Sequence, residues 1–291
     1  MTLIVEAILT GVLTGSVYAL MASGLTLTFG VMEIINIAQG ILVILGAYLS
    51  YAFESSLHLD LFVTLLVSMP LLFLLGIGIY VVVLRRLKQD RTTLSILATF
   101  AIALAIEGAL TFVFTTNDQA LHAWYVDASV PIADFRLPYI YLFAFLLSVV
   151  LLTALYLLVY RTTFGAALRA SMQNRTAATL IGINVERVQA ITFGLSTALA
   201  ATGGMVYGAI NVFNPASSYD LISRLLVIIV FGGMGSLQGA LIASLLMLVI
   251  GDVTAVIWSP VWSSTVFFGL LVILLVIRPQ GILGRKMGRE Q

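Results

Sequence analysis

The chain is 291 residues long, 61% hydrophobic and only 9% charged, with no cysteine and a formal net charge of +1. A soluble globular protein is about a quarter charged, so these figures exclude a soluble enzyme and a secreted module. The absence of cysteine excludes a disulfide framework or a thiolate metal site, and two histidines leave little for a histidine-rich one. Near-neutral charge gives no basis for a nucleic-acid partner. One membrane-embedded helical bundle over 1–291 is therefore predicted.

Apolar runs follow one another along the chain, and each is long enough to approach the roughly 20 residues that a bilayer crossing needs. The first carries Glu6 and no basic segment before it, so it is not expected to be a cleaved signal peptide. The runs are unbroken, whereas the strands of a membrane barrel alternate apolar and polar residues. Helices are therefore predicted over 4–28, 34–53, 61–84, 93–115, 139–160, 188–210, 222–252 and 262–277.

Charge placement predicts the orientation in the membrane. Four Lys or Arg residues lie in each of the segments 85–91, 161–187 and 278–289. Basic connections stay on the cytoplasmic side, so these three segments are expected there. The segments 54–60 and 116–138 are mainly acidic and are expected outside. The N-terminus is then outside and the C-terminus in the cytoplasm.

The long run at 222–252 has to contain a break for this orientation to hold. Gly232, Gly233 and Gly235 weaken a helix interior, which divides the run into 222–232 and 237–252. About nine crossings result. The piece 222–232 is short for a full span and is expected to be a half-helix or re-entrant segment, which membranes tolerate where protein or a cavity surrounds it.

The connection 161–187 is long, and long ordered connections are usually functional. Alanine and isoleucine recur in it at helical spacing. Asn174 is expected to cap a short helix that runs to Leu180, and Gly182 to end it. Such a helix, rich in small residues, suits docking in the groove of a partner protein. The alternative is a helix that lies on lipid headgroups, which would favour Trp, Phe and Leu on its buried face.

Polar residues inside the apolar runs are candidate functional groups. Asn36 and Gln39 are three residues apart and are expected to share a helix face at or near the start of the second span. They either line a path or form an interhelical hydrogen bond. Glu107 is the deeply placed carboxylate, and it belongs either to a proton relay or to a protonated or paired structural group.

The chain lacks the sequence patterns of the common nucleotide-binding and hydrolytic sites. It has no Gly-x-x-x-x-Gly-Lys-Ser/Thr loop, no Gly-x-Ser-x-Gly turn and no His-Glu-x-x-His helix. An enzyme is therefore not expected, and neither a metal nor ATP is expected to bind through these motifs.

Several segments, taken in order, resemble the permease subunits of ABC importers for branched-chain amino acids, and the H-type subunit more than the M-type. The likeness covers nearly the whole chain. It is carried by Gly15-Ser-Val-Tyr-Ala-Leu20, Ile35-Asn-Ile-Ala-Gln-Gly40, Phe164-Gly-Ala-Ala-Leu-Arg-Ala170, Ile181-Gly-Ile-Asn184, Asn214-Pro215, Phe231-Gly-Gly-Met-Gly-Ser236 and Arg278-Pro-Gln-Gly-Ile-Leu-Gly284.

This resemblance implies an all-α inner-membrane permease that works by alternating access. Its implied partners are two cytoplasmic ATPases, which hold ATP and Mg, a second permease subunit, an extracytoplasmic substrate-binding protein and membrane lipid. The segment 161–187 would be the coupling helix that fits the ATPase. The coupling residues expected are Phe164, Gly165, Arg169, Asn174, Ala177, Ala178, Leu180 and Gly182. The residues expected along the substrate pathway are Asn36, Gln39, Asn211 and Asn214.

One position departs from the family pattern. The family often has Asn-Phe-Ala-His-Gly where this chain has Asn36-Ile-Ala-Gln-Gly40. The sequence therefore does not decide whether the substrate is a leucine-like amino acid, another amino acid, an amide, urea or a small aromatic acid. Pairing with an identical or a different permease is also open. The rival interpretation is an ion-coupled secondary transporter, which predicts several ionisable groups in the membrane and often inverted repeats.

Overall fold

The structure is a computed structural model that describes residues 2–87, 91–132 and 135–284. Five charged residues used above to predict the orientation lie outside the described residues, namely Lys88, Asp134, Arg285, Lys286 and Arg289. In chain order the helices are α1 (Thr2–Met32), α2 (Gln39–Leu57), α3 (Leu61–Val82), α4 (Arg91–Phe114), α5 (Trp124–Asp127), α6 (Tyr139–Arg161), α7 (Thr163–Gln173), α8 (Arg175–Leu180), α9 (Val185–Ile210), α10 (Ser217–Gly232), α11 (Leu237–Ile257) and α12 (Pro260–Ile277). A short 3-10 helix, Leu84–Arg86, follows α3.

The predicted all-α polytopic fold is confirmed. Eight of these helices are long and apolar enough to cross a membrane, namely α1, α2, α3, α4, α6, α9, α11 and α12. The sequence did not predict the antiparallel pair of strands β1 (Ser129–Ile132) and β2 (Phe135–Pro138), which lies in the connection before α6. The protein is thus a multi-pass membrane protein.

The segments that the sequence assigned to opposite sides of the membrane collect at opposite ends of the bundle. At the first, which we call the acidic end, Glu54 Oε1 accepts a hydrogen bond from the His122 backbone N–H at 3.1 Å. At the other, which we call the basic end, Arg85 forms a 2.8 Å ion pair with Glu186. Between the ends, α1 and α11 run antiparallel, because Gly11 packs on Val249 and Gly30 lies beside Gly235.

Asp60 fixes the chain at the acidic end. Its Oδ1 accepts from the Phe62 backbone N–H at 2.9 Å and so caps α3, while Oδ2 accepts from the Tyr125 hydroxyl at 3.0 Å. Burial is the main cause that raises the pKa of Tyr125, and this hydrogen bond is the second. The phenol therefore stays protonated and remains a donor. One carboxylate therefore joins the start of α3 to α5.

Helix α9 forms the centre of the bundle, because 83% of an 18-residue apolar stretch of this helix is buried. Glycines allow its neighbours to approach closely, as small residues do between membrane helices. A Cβ on Gly204 would lie 1.9 Å from the Val43 carbonyl oxygen of α2, and one on Gly76 of α3 would lie 2.2 Å from Thr197 Oγ1. Both α2 and α3 therefore pack closely on α9.

The second span begins later than predicted. The run 34–53 was expected to be one helix, but residues 33–36 are irregular, and α2 begins at Gln39. Glu33 adopts a left-handed backbone with φ 56°, which ends α1. Side chains from α4 then hold the irregular segment, because Thr99 Oγ1 accepts from the Ile37 N–H at 3.2 Å and donates to the Ile35 carbonyl at 3.4 Å.

Candidate functional site

The connection 161–187 forms two consecutive helices, α7 and α8, at the basic end. Thr162 caps α7 by accepting from the Gly165 N–H at 3.0 Å. Asn174 Oδ1 caps α8 by accepting from the Ala177 N–H at 2.9 Å, and Gly182 follows with φ +87°. The predicted cap, helix and stop are all confirmed, while α7 is an additional helix.

Four of the eight residues predicted to couple to a partner face the bundle. A Cβ on Gly165 would lie 2.1 Å from the Val159 carbonyl oxygen, and Phe164 is half-buried. The Arg169 guanidinium donates to that carbonyl and lies over the Tyr160 ring, 5.4 Å from its centroid. Ala178 is 2% exposed. These residues hold the two helices against α6 and α9, and Phe164 and Arg169 remain half-exposed.

The other four residues, Asn174, Ala177, Leu180 and Gly182, are exposed. Leu180 is 83% exposed, and Ile181 beside it, which the sequence analysis did not select, is 75% exposed. We call Ala177, Leu180 and Ile181 the α8 tip. Two large aliphatic side chains, one on the last residue of α8 and one just after it, form an apolar projection at the basic end, the kind of surface that binds another protein.

Asn36 and Gln39 lie in the interior of the bundle and are fully buried. Asn36 Nδ2 donates to Gln39 Oε1 at 3.2 Å, and Ser196 Oγ of α9 donates to the same oxygen at 3.2 Å. Gln39 Nε2 donates to the Ser196 carbonyl at 3.4 Å. The two residues do not share a helix face as expected, because Asn36 precedes α2. Their bonds join the start of α2 to α9.

Asn211 and Asn214, also predicted for the pathway, lie at the C-terminal end of α9 and in the segment after it. Asn214 Nδ2 donates to Asp118 Oδ1 at 2.8 Å, and Asn211 Nδ2 donates to the Tyr207 carbonyl at 3.3 Å. Within the described part of the chain, neither forms a hydrogen bond with Asn36 or Gln39. The structure therefore separates the four predicted pathway amides into two pairs.

The glycine break is confirmed at 233–236, between α10 and α11. Gly233 and Gly235 have φ +99° and +83°, a region that disfavours other residues. The Ile282 and Leu283 N–H groups donate to the Phe231 and Gly232 carbonyls at 2.9 and 3.0 Å. The segment after α12 therefore clamps the end of α10 at the basic end.

Gly30 of α1 lies beside both the end of α7 and this break. It faces Met172 of α7, and the Gly235 Cα lies 3.6 Å from the position of a Cβ on Gly30. Met172 Cε comes within 2.4 Å of that position. Gly30 therefore lies between the end of α7 and the junction that begins at the end of α10.

Charged residues along the membrane-embedded helices are more numerous than the sequence analysis expected. Glu107 was named as the deep carboxylate, and the structure pairs it with the Tyr219 hydroxyl at 2.6 Å. Asp220 and Arg224 of α10 form a 2.8 Å ion pair, and Asp252 is half-buried on α11. Asp220 was missed because α10 begins at Ser217 and not at 222.

Comparisons with known proteins agree with this architecture. The family model described as branched-chain amino acid transport system / permease component matches residues 7–276. The high-affinity branched-chain amino acid transport system permease protein BraD of Pseudomonas aeruginosa is 27% identical over 96% of this chain and 95% of its own length. The corresponding LivH of Escherichia coli is 27% identical over 94% of each chain.

A different permease protein of the same kind of system is similar over part of the chain. LivM of Escherichia coli is 29% identical over 51% of this chain and 35% of its own length. No solved structure gives a significant match. The family model covers far more than half of the chain, so the protein belongs to the family of permease components of branched-chain amino acid transport systems.

Proposed function

We propose that this protein is a permease subunit of an ABC importer that carries branched-chain or related amino acids across the inner membrane. It would assemble with a second permease subunit, two cytoplasmic ATPases and an extracytoplasmic substrate-binding protein. Family membership supports the transport role. The observation that carries the ATPase partnership is the α8 tip, where Leu180 is 83% and Ile181 75% exposed at the basic end.

The basic end is the cytoplasmic end in this proposal. Its described charges, including Arg85, Arg161, Arg175 and Arg187, outnumber its acids, whereas Asp60, Asp118 and Asp127 lie at the acidic end. Basic residues in short connections remain in the cytoplasm. The N-terminus would then be outside and the C-terminus in the cytoplasm, on the side of the ATPases.

Alternating access would use Gly30 of α1, which lies beside both α7 and the glycine break. ATP-driven closure of the ATPase pair would displace the α8 tip together with α7. Met172 would transmit that displacement to Gly30, and Gly30 would transmit it to Gly235 and so to α10 and α11. Left-handed glycines at 233 and 235 give this junction the conformational freedom to act as a hinge.

An ion-coupled secondary transporter is the second candidate. The observation that favours it is the set of ionisable groups on the membrane-embedded helices, Glu107, Asp220, Arg224 and Asp252, since intramembrane charges mark ion pathways. Uptake that requires ATP and continues when the ion gradients have collapsed would support the importer. Uptake that is lost with the gradients and is indifferent to ATP would support the secondary transporter.

The test of the proposed function is purification of the tagged chain from its native membrane, with identification of the proteins that accompany it. The variant Leu180→Asp places a charge on the α8 tip, and Leu57→Asp, at a leucine 61% exposed at the acidic end, is the matched control. We expect an ATPase with the parent and with Leu57→Asp, and at least a tenfold loss of it with Leu180→Asp. A well-folded parent that brings down no ATPase contradicts the proposal.

A further inference from the structure

One face of α10 carries polar and charged side chains that the rest of the chain leaves open. We call Tyr219, Asp220, Ser223 and Arg224 the α10 polar face. Tyr219 is 47% exposed, and the side chains of Arg224 and Asp220 are 27% and 55% exposed. Tyr219 extends this face to α4 through its hydrogen bond to Glu107.

This face lies at mid-depth in the bundle. The Ser218 carbonyl oxygen and Ile222 pack against Gly40, next to Gln39, which bonds to Ser196. Ser196 is eleven residues along α9 from Val185, a rise of about 16 Å. Asp220 and Arg224 therefore lie far from both ends of α9, at the depth of the hydrocarbon.

Lipid does not cover such a face at low cost. Asp and Arg each cost about 2.5–3.5 kcal/mol at the centre of a membrane helix, and charged groups at that depth face water or protein. The strongly exposed residues of α12, among them Val272, Ile273 and Val276, show what a lipid-facing surface of this chain is made of. The α10 polar face differs from that surface in every residue.

The unused hydrogen-bonding groups on the face match an amino acid. Arg224 uses Nε for Asp220 Oδ2, and within the described residues its two terminal nitrogens form no hydrogen bond. The Phe267 ring lies 5.9 Å from the guanidinium and limits its movement. A guanidinium with a free edge binds carboxylates. Asp220 Oδ1 and Glu107 Oε1 likewise have no hydrogen-bond partner among the residues described, and carboxylates bind ammonium groups.

We propose that the α10 polar face, with Glu107, is where the transported amino acid is held during its passage. Arg224 takes the α-carboxylate, and Asp220 and Glu107 take the α-ammonium group. The aliphatic side chain of the substrate lies away from these charges. This inference rests on the proposed function, because it names the groups that would recognise the substrate of the same importer.

The first test uses the assembled importer in lipid vesicles, with ATP on the ATPase side and leucine-loaded binding protein on the other. We expect Arg224→Gln and Asp220→Asn each to lower leucine uptake at least tenfold. ATP hydrolysis and the recovery of partner subunits should stay within twofold of the parent. Arg224→Lys keeps the charge and loses the planar fork, so its leucine uptake should lie between that of the parent and that of Arg224→Gln.

The matched control removes another arginine, one whose ion pair has the same 2.8 Å distance as that of Arg224 with Asp220. Arg85 pairs with Glu186 at 2.8 Å at the basic end, and Arg85→Gln should keep uptake within twofold. If Arg224→Gln and Asp220→Asn both take up leucine at the rate of the parent, the inference is wrong, while the proposed importer function is unaffected. A parent that takes up no amino acid with ATP would instead overturn the proposed function. Loss of partner subunits in step with uptake would make the pair an assembly contact and overturn the inference.

A second measurement does not depend on charge removal. The chain has no cysteine, so Ser223→Cys introduces one thiol between Asp220 and Arg224. We expect a charged methanethiosulfonate reagent to label it in the assembled importer and leucine to slow labelling at least threefold. Val272→Cys, at a residue 61% exposed on α12, should remain unlabelled. Labelling of Ser223→Cys only after the subunits are separated would show that a partner covers the face and would overturn the inference.

Discussion

Replacing Gly204 with alanine tests the packing of α2 on α9. The new Cβ would lie 1.9 Å from the Val43 carbonyl oxygen and 2.7 Å from the Ala47 nitrogen, whereas real Cβ contacts essentially never fall under 3.0 Å. Both neighbours are backbone atoms, so no side chain can rotate away. The two helices would have to separate by about 1 Å, and closely packed interiors resist such a shift.

The expected magnitude follows from the cost of overpacking, which is about 1–3 kcal/mol per inserted group. Because the displaced atoms belong to the backbone of two buried helices, we expect the upper end, about 3 kcal/mol. In a protein of this size each kcal/mol shifts the melting temperature by about 2–4 °C, so Gly204→Ala should melt about 6–12 °C below the parent.

The measurement is the melting temperature of the purified protein in mild detergent, taken as the temperature at which half of the folded peak is lost on size-exclusion chromatography. Gly78→Ala in α3 is the matched control, since its Cβ would have no atom within 4 Å. Alanine has the higher helix propensity by about 1 kcal/mol, so the control should melt at or above the parent. Equal shifts in the two variants would refute the close packing of α2 on α9.

Three further changes have outcomes that the same melting assay measures. Asp60→Ala removes the cap of α3 and the acceptor of the Tyr125 hydroxyl, so it should lower stability by about 1–2 kcal/mol. Gln39→Met leaves the Ser196 hydroxyl without its acceptor in the interior and should cost about 1–3 kcal/mol. Gly233→Ala forces a Cβ onto a residue with φ +99° and should cost about 1–3 kcal/mol.

Conservative replacements separate these mechanisms from general damage. Asp60→Asn keeps an oxygen acceptor for the cap and should recover more than half of the loss. Gly269→Ala, whose Cβ meets nothing within 4 Å, should melt at or above the parent, as Gly78→Ala does. Parental stability of Gly233→Ala would contradict the left-handed break, and parental stability of Gln39→Met would contradict the bonds that join α2 to α9.

Local sequence signals predicted those parts of the structure that local interactions determine. The long apolar runs gave the helices, because a helix that satisfies its own backbone is the natural spanning structure. Asn174 gave the start of α8, and Gly233 and Gly235 gave the break before α11, because capping oxygens and positive φ angles are properties of single residues.

Features that depend on tertiary contacts could not be predicted in this way. The irregular residues before α2 occur in an isoleucine-rich stretch without proline, and Thr99 of α4 supplies the hydrogen bonds that replace those of a helix. The exposure of Leu180 and the burial of Ala178 on the same short helix depend on how α7 and α8 pack. The depth of Asp220 depends on where the chain re-enters the bundle after Asn214.

The short length and charge of α10 also bear on how the protein enters its membrane during synthesis. Its sixteen residues span about 24 Å, and Asp220 and Arg224 would add about 5–7 kcal/mol to insertion as a lone segment. Among the eight longer helices, α4 and α11 carry the carboxylates Glu107 and Asp252, but each within a longer apolar stretch. Helix α10 therefore needs the surface formed by α1 and α2, against which it packs, and the later emergence of α11 and α12 from the ribosome completes its surroundings. Helix α10, which carries the polar face, thus depends on its neighbouring helices to enter the membrane.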